Sequence, residues 1–400
     1  MASSTSWLPS QLAGLYEPNK LQALRYGANV VRNHLLAALP TPTSRAFIVT
    51  GTSLATRTPL IRDLEKLLTG GGGGGDADSQ SKQNRHAGTF SHIKQHAPVE
   101  QLDEATKLIL GDDKIDTIIS VGGGSPIDSA KAIIYRVNEQ NPNRAWLRHI
   151  AIPTTLSAAE CTPNAGYTQS DGTKTGVKHP KCIPAFVFYD PVFALHTPPS
   201  LFLSTGIRAL DHAVEAQYHP TATYIPCQLI SRSAVSELFT LLPKYKADST
   251  NQQVITGLFL AAYASLGFLG ANMGSQGLGL SHSLGYALGS PYGIPHGVTS
   301  CLTLGRVVKM KAATGATTAA QIAALLPFVS KGSAAGDDVV REAQAVGDAI
   351  IDLVKRLGLA TTLTEQKVGK DQVDIVVERA TKGLSEKEKA DVRTLVEALY

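Results

Sequence analysis

The sequence predicts an α/β fold: a parallel sheet with helices in the N-terminal half, then an all-helical C-terminal half. Short apolar runs alternate with longer amphipathic ones as far as Asp190-Pro191, the pattern of a parallel sheet with crossover helices. Beyond that point nearly every apolar run repeats at 3.6 residues. A length of 400 residues is also more than one hydrophobic core normally organises, so two domains follow, 1–192 and 193–400.

The first strand is read at 46–50, followed by a helix near 59–68. Thr69 then opens a run of six glycines, Gly70 to Gly75, continued by Asp, Ser, Gln and Lys up to Gln83. Such a stretch cannot bury enough apolar surface to offset its ordering entropy, so 69–83 reads as a mobile surface insertion rather than a phosphate loop. A second helix is expected at 99–110 and a strand at 115–121. In the C-terminal half, helical periodicity covers 200–242, 252–270, 318–326, 337–357 and 370–400. The paired prolines near 193–199 mark the boundary, and a cleft there is the expected meeting place of cofactor and substrate.

Composition excludes several classes of function. At 43% hydrophobic and 18% charged the chain can fill two cores. A net charge of +4 without a Lys/Arg run leaves no nucleic-acid footprint, though it suits an anionic ligand. Cys161, Cys182, Cys227 and Cys301 are scattered, with no disulfide framework, and read as reduced structural thiols. No stretch approaches the roughly 20 apolar residues needed to span a bilayer, and the N-terminus lacks a secretory pattern, so a cytoplasmic protein is expected.

The strand at 115–121 runs directly into Gly122-Gly123-Gly124-Ser125-Pro126-Ile127-Asp128. Glycines at such a junction let backbone N–H groups approach a pyrophosphate, and Ser125 with Pro126 suits the cap and first turn of a helix whose positive end faces the anion. The N-terminal domain therefore reads as Rossmann-like. In the helical half, His282 and His296 flank a Gly/Pro-rich segment expected to turn and bring both imidazoles to one cleft. Tyr286 follows His282 by one helical turn, which would put its phenol beside that imidazole.

These motifs, together with Ile152-Pro153-Thr154-Thr155, Tyr189-Asp190-Pro191 and the run from Thr205 to Glu215, resemble the iron-type alcohol dehydrogenase superfamily over residues 45–310. Gln95 to Glu100, Ile152 to Pro163 and Asp171 to Gly176 are most similar to its maleylacetate reductase branch. The resemblance implies the two-domain architecture shared with dehydroquinate synthases, a bound nicotinamide dinucleotide, hydride transfer to a small carbonyl substrate, and a homodimer. It places Gly122, Gly123, Gly124, Ser125 and Asp128 in the dinucleotide motif, Thr154 and Thr155 along the cofactor channel, and Lys174 near the ribose or nicotinamide. Gly51, Thr52 and Ser53 follow the first strand where NAD-specific relatives often carry an acid. A glycine and two hydroxyls there, with Arg57 nearby, leave room for a 2′-phosphate and favour NADPH over NADH.

Metal-dependent members hold zinc or iron with an Asp and a His four residues apart on one helix and two later histidines. The corresponding positions here are Arg208, His212, His282 and His296. A guanidinium has no lone pair and stays charged, so it cannot ligate and repels a nearby cation. Asp211, about 100° around a helix from His212, is a poor replacement ligand. The resemblance to maleylacetate reductases implies catalysis without a metal, with Arg208 binding a substrate carboxylate or polarising the carbonyl. A surface ion pair between Arg208 and Asp211 or Glu215 is the structural alternative, and Tyr286, His282 and His296 are all candidate proton donors. A metal-dependent dehydrogenase using His212, His282 and His296, and a lyase that recycles its dinucleotide, remain open. His34, His86, His92, His96, His149, His179, His196 and His219 are expected on the surface or in loops, and Cys161 is expected to be structural.

Overall fold

The computed structural model describes residues 18–70, 83–170, 174–220, 222, 224–268, 277–330 and 338–400. The chain divides into two compact units, one of residues 19–198 with Ser249–Phe259, the other of Pro199–Asp248 with Leu260–Tyr400. The division falls at Pro198/Pro199 rather than at 192/193, because Phe193 still packs into the sheet's core against Ile150 and Ile152.

The first unit begins with β1 (Ala23–Tyr26), α1 (Val30–His34), β2 (Arg45–Thr50), α2 (Thr52–Arg57) and α3 (Leu60–Leu68). It continues with β3 (His86–Phe90), α4 (Val99–Leu110), β4 (Ile115–Gly122), α5 (Gly124–Gln140) and β5 (Arg148–Pro153). Next come β6 (Asn164–Thr168), β7 (Lys174–Lys178), β8 (Phe186–Tyr189) and α6 (Pro191–Ala194). Six strands form one parallel sheet in the order β1-β8-β5-β4-β2-β3, and β6 pairs antiparallel with β7.

Both faces of the sheet are covered, as parallel sheets require. Phe47, Val49 and Ile118 point to a core shared with Leu102 and Ile109 of α4 and Ile133 and Val137 of α5. Alternate residues Ala46, Ile48, Ile119 and Val121 meet Leu60, Ile61, Leu64 and Leu68 of α3 on the opposite face. Burying each such leucine or isoleucine contributes about 1.5–3 kcal/mol. The expected insertion at 69–83 lies, for 71–82, outside the described residues, and its flanks are tied by Arg85 N donating to Leu68 O at 2.9 Å.

The chain passes from β2 outward to β3, then returns to β4 on the other side of β2. The strand order therefore reverses between β2 and β4, the crevice where open α/β sheets place ligands.

One histidine, His149, corrects the expectation of surface or loop positions, while His219 lies in a loop as expected. His219 is buried, its Nε2 2.9 Å from Gly277 O. His149 is buried in β5 because it is fully partnered: its Nδ1 donates to Cys182 O (3.2 Å), and its Nε2 accepts from Ser120 Oγ (2.8 Å). Burial pushes its pKa down to about 3. The unfolded chain then binds a proton between about pH 6.5 and 3 that the native chain refuses, so stability falls with acidification by about 1.4 kcal/mol per pH unit in that window. Urea midpoints measured from pH 7 to 5 should drop in the wild type and flatten in His149→Gln; parallel slopes would contradict this assignment.

The second unit is helical. α7 (Pro199–Tyr218) leads through a π turn at Tyr224–Gln228 into α8 (Leu229–Ala247), so the helical run expected at 200–242 is broken. α9 (Gln252–Leu266), whose residues up to Phe259 belong to the first unit, α10 (Leu280–Tyr292) and α11 (His296–Ala312) follow, then α12 (Ala316–Ala323) and α13 (Leu326–Val329). α14 (Val339–Leu357), α15 (Val373–Ala380) and α16 (Glu386–Glu397) complete the chain. Leu284 and Leu288 of α10 share a core with Leu302 of α11, Val376 of α15 and Val396 of α16. Among the described residues no helix is long and apolar enough to cross a membrane.

Candidate active site

In the sheet unit, Gly51, Gly122, Gly123, Gly124, Thr154 and Thr155 lie at the ends of β2, β4 and β5 by the β2/β4 crevice. Thr50 Oγ1 donates to Val121 O at 2.9 Å, and Thr154 N donates to Gly122 O at 2.9 Å, tying the ends of β2, β4 and β5 together. Gly122 has φ +140°, and a Cβ there would lie 2.9 Å from Pro126 Cγ, so only glycine fits. A Cβ on Gly123 would meet Thr155 Cγ2 and Oγ1 at 3.1 Å, and one on Gly124 would meet Ser157 Oγ at 3.4 Å.

The helix starts at Gly124 with Gly123 as its N-cap and no side-chain cap, which corrects the expectation that Ser125 caps it. The first-turn N–H groups of α5 are thus without a capping side chain, and Thr155 Oγ1 and Ser157 Oγ are buried without a hydrogen-bond partner among the described residues. Orphan donors and hydroxyls at a helix N-terminus in a glycine-walled crevice fit a pyrophosphate. Ser157 lies in the run from Ile152 to Pro163 but had been given no role.

Gly51 caps α2, and a Cβ on it would lie 3.3 Å from Ile93 O. Thr52, Ser53 and Arg57 are exposed on that short helix. Asp128 is turned to structural use: its Oδ1 accepts from Lys131 Nζ at 3.0 Å, and its Oδ2 from Gly166 N at 3.4 Å. Lys174 opens β7, and Asp171, Gly172 and Thr173 lie outside the described residues.

In the helical unit, Arg208 and His212 on α7, His282 and Tyr286 on α10, and His296 at the start of α11 come together. α7 is buried on nearly every face, so its polar side chains meet neighbouring helices rather than water. Gly285 lets α10 approach closely, since a Cβ there would lie 3.2 Å from Arg208 Nη1. Gly289 does the same beside His296, at 3.1 Å from its Cε1 and Nδ1. The segment between His282 and His296 is thus mostly helix rather than the expected turn; only residues 293–295, beginning with left-handed Gly293, reverse the chain. His212 and His282 face each other with ring centroids 4.9 Å apart. Tyr286, 54% exposed, sets its ring edge-on to His296 at 6.0 Å.

Two buried acids, weighed above only as partners of Arg208 or, for Asp211, as a poor ligand, organise this cluster. Asp211 Oδ2 accepts from Ser281 Oγ (2.9 Å) and Ser300 Oγ (2.5 Å) and lies 3.6 Å from Arg208 Nη1, while its Oδ1 is 3.4 Å from His282 Nδ1. Glu215 accepts from His282 Nδ1 at 2.7 Å and from Ser281 N at 2.8 Å. Arg208 Nη1 also donates to Ser300 Oγ at 3.3 Å. The Arg208–Asp211 pair is therefore buried, not the solvated surface pair considered above. Spacing of 208, 211, 212 and 215 along an otherwise apolar helix is the signal that could have found these acids.

The charges bias the titrations. For Asp211, burial pushes the carboxyl up, but His282, Arg208 and the Ser300 hydroxyl outweigh it and hold it below the usual range. Burial, with His282 and Arg208 beside it, holds His212 well below the ordinary histidine value and so neutral. His282 is pushed down by burial and Arg208, yet Asp211 and Glu215 outweigh both and raise it. His212 Nδ1 and His282 Nε2 are buried without a hydrogen-bond partner among the described residues.

Ligand atoms of Asp211, Glu215 and His282 lie within 4.8 Å of one another, close enough to be compared with a metal site. Their bonding points elsewhere. His282 Nδ1 is at hydrogen-bond length from Glu215, and Asp211 already serves two hydroxyls and a guanidinium. A divalent ion would have to displace these partners in the face of a fixed cation.

Comparison with known proteins identifies the family. The profile of the iron-containing alcohol dehydrogenases matches residues 23–191, and that of the family's C-terminal region matches 202–399. A maleylacetate reductase of Sphingobium indicum is 30% identical over 202 residues, covering 50% of this chain and 54% of that protein. One from Rhizobium sp. is 27% identical over 299 residues, covering 74% and 75%. The chain thus spans about half the length of the Sphingobium relative. The crystal structure of the Rhizobium maleylacetate reductase superposes with a TM-score of 0.75 at 23% identity, covering 98% of this chain and 99% of that one, a likeness of fold. With both halves matched and the parallel sheet followed by a helical unit, the chain belongs to the iron-containing alcohol dehydrogenase family of oxidoreductases.

Proposed function

We propose that the chain is a nicotinamide-dinucleotide-dependent reductase of small, carboxylated carbonyl or conjugated enol-ketone substrates, similar to maleylacetate reductases, working without a resident metal. The observation that carries this reading is Arg208, a permanent cation 7% exposed among His212, His282 and two acids, at the position where metal-dependent relatives carry a ligating acid. The guanidinium of Arg208, 3.6 Å from Asp211 Oδ2, opposes a divalent ion at the Asp211, Glu215 and His282 cluster.

The dinucleotide, when bound, supplies the hydride. Gly122, Gly123, Gly124 and Ser125 take its pyrophosphate at the start of α5, and Thr154 and Thr155 line its channel. Lys174 serves the ribose or nicotinamide. Gly51, Thr52, Ser53 and Arg57 accept a 2′-phosphate, which favours NADPH over NADH. Hydride arrival builds negative charge on the carbonyl oxygen, and groups bound more tightly to that charge than to the ground state accelerate the step. Arg208 and the His282 ring provide them; neutral His212 orients the substrate as a hydrogen-bond partner. Tyr286 and His296, in edge contact and on the more exposed side of the cluster, pass the proton to the oxygen.

A metal-dependent dehydrogenase is the second reading, favoured by the two unpartnered ring nitrogens of His212 and His282. Following reduced-nicotinamide absorbance with NADPH and NADH across keto acids, enones and aldehydes, with and without a chelator, tests both. Stoichiometric NADPH consumption on a carboxylated substrate, indifferent to chelator, is expected. Loss of activity with chelator would favour the metal reading, and turnover without net consumption would favour a lyase.

A further inference from the structure

We infer that Lys131, on α5, is a positioning residue for the dinucleotide, clamping the loop at residues 154–164 against the glycine turn. This rests on the reading that the chain binds a nicotinamide dinucleotide. Lys131 is wholly buried, and its ammonium donates to Asp128 Oδ1 (3.0 Å), Ala159 O (2.5 Å) and Asn164 O (2.7 Å). Three N–H groups meet three acceptors, so the charge is fully used inside the protein and reaches no ligand itself.

The two carbonyls it holds lie in the loop that carries Thr155 and Ser157 and at the start of β6 where that loop ends; those two side chains lie against Gly123 and Gly124. Asp128, one turn earlier on the same helix, extends the grip by accepting from Gly166 N. The loop needs holding: Ala158 sits in the left-handed region at φ 56°, a conformation an alanine disfavours. At its near end the loop is tied by Thr154 N to Gly122 O. A methionine at 131 would fill the same volume but take the ammonium away from the carbonyls of Ala159 and Asn164, releasing the far end. Thr155 and Ser157 would then no longer be fixed beside the helix N-terminus.

The test titrates NADPH and NADH, by reduced-nicotinamide fluorescence, into the full-length wild type, Lys131→Met and Asp128→Asn. Lys131→Met should weaken dinucleotide binding by about tenfold or more, equivalent to about 1.4 kcal/mol. Its KM for the dinucleotide should rise more than its kcat falls. Asp128→Asn keeps the hydrogen-bond geometry but loses the charge, so it should show a smaller change in the same direction; it carries the test alone if Lys131→Met does not fold. A lowered melting temperature with unaltered dinucleotide affinity in both variants would make Lys131 a purely structural residue and overturn the inference. A wild type that binds neither dinucleotide would overturn the underlying reading, and this inference with it.

Discussion

Arg208→Met is expected to lower kcat/KM by about 10²–10³-fold, the usual consequence of removing one preorganised group that stabilises an oxyanion. The dinucleotide Kd should be unchanged, because Arg208 is not among the groups proposed to hold the dinucleotide. Stability must be separated from chemistry here. Removing the guanidinium leaves Asp211 buried with one cation fewer, and breaking a buried pair costs about 3–5 kcal/mol when the survivor is uncompensated. Asp211 retains Ser281, Ser300 and His282, so the loss should fall at the lower end of that range. The double variant Arg208→Met/Asp211→Asn restores neutrality and should recover the melting temperature but not the turnover. Recovery of both would mean that Arg208 serves the fold alone.

Gly123→Val is expected to weaken dinucleotide binding by about 100-fold, or about 2.7 kcal/mol. Gly123 has φ −80° and ψ −159°, an extended backbone open to any residue, so the substitution adds bulk without backbone strain. That bulk falls on Thr155, already 3.1 Å from the first added carbon, and into the space a pyrophosphate needs. Gly123→Ala should lie between, since Thr155 need move by only a few tenths of an ångström. Calorimetric titration with NADPH measures both. A valine variant that binds as tightly as wild type would remove the glycine turn from the cofactor site.

The central sheet was legible because its inner strands are rich in buried Val and Ile: the strand read at 115–121 is Ile115–Gly122, and the helix read at 99–110 is Val99–Leu110. Strands β1, β3 and β8 are short, and β6 and β7 are interrupted by glycine, so neither alternation nor length marked them. α10 was hidden by its composition. Glycine at 285 and 289 lowers helix propensity, yet both glycines are needed where Arg208 and His296 press against the backbone.

The site shows the same division. Residue types and order marked Arg208, His212, His282, Tyr286 and His296 as one group, but the roles of Asp211 and Glu215 depended on α7 being buried all round. Asp211 was set aside as a ligand because it lies about 100° around the helix from His212, and that angle says nothing of what its own side meets. That side meets Ser281 and His282 of α10 and Ser300 of α11. Lys131 and His149 were hidden similarly, since a buried polar residue announces itself only through partners distant in sequence.

Metal content measured alongside turnover, on wild type and Arg208→Asp each dialysed against zinc and ferrous iron, tests most directly whether a buried guanidinium has replaced the ion. The account predicts a wild type that turns over with far less than one ion per chain, and an aspartate variant that gains metal while losing native activity. A wild type holding one ion per chain at His212, His282 and His296, with activity that leaves and returns with that ion, would contradict it.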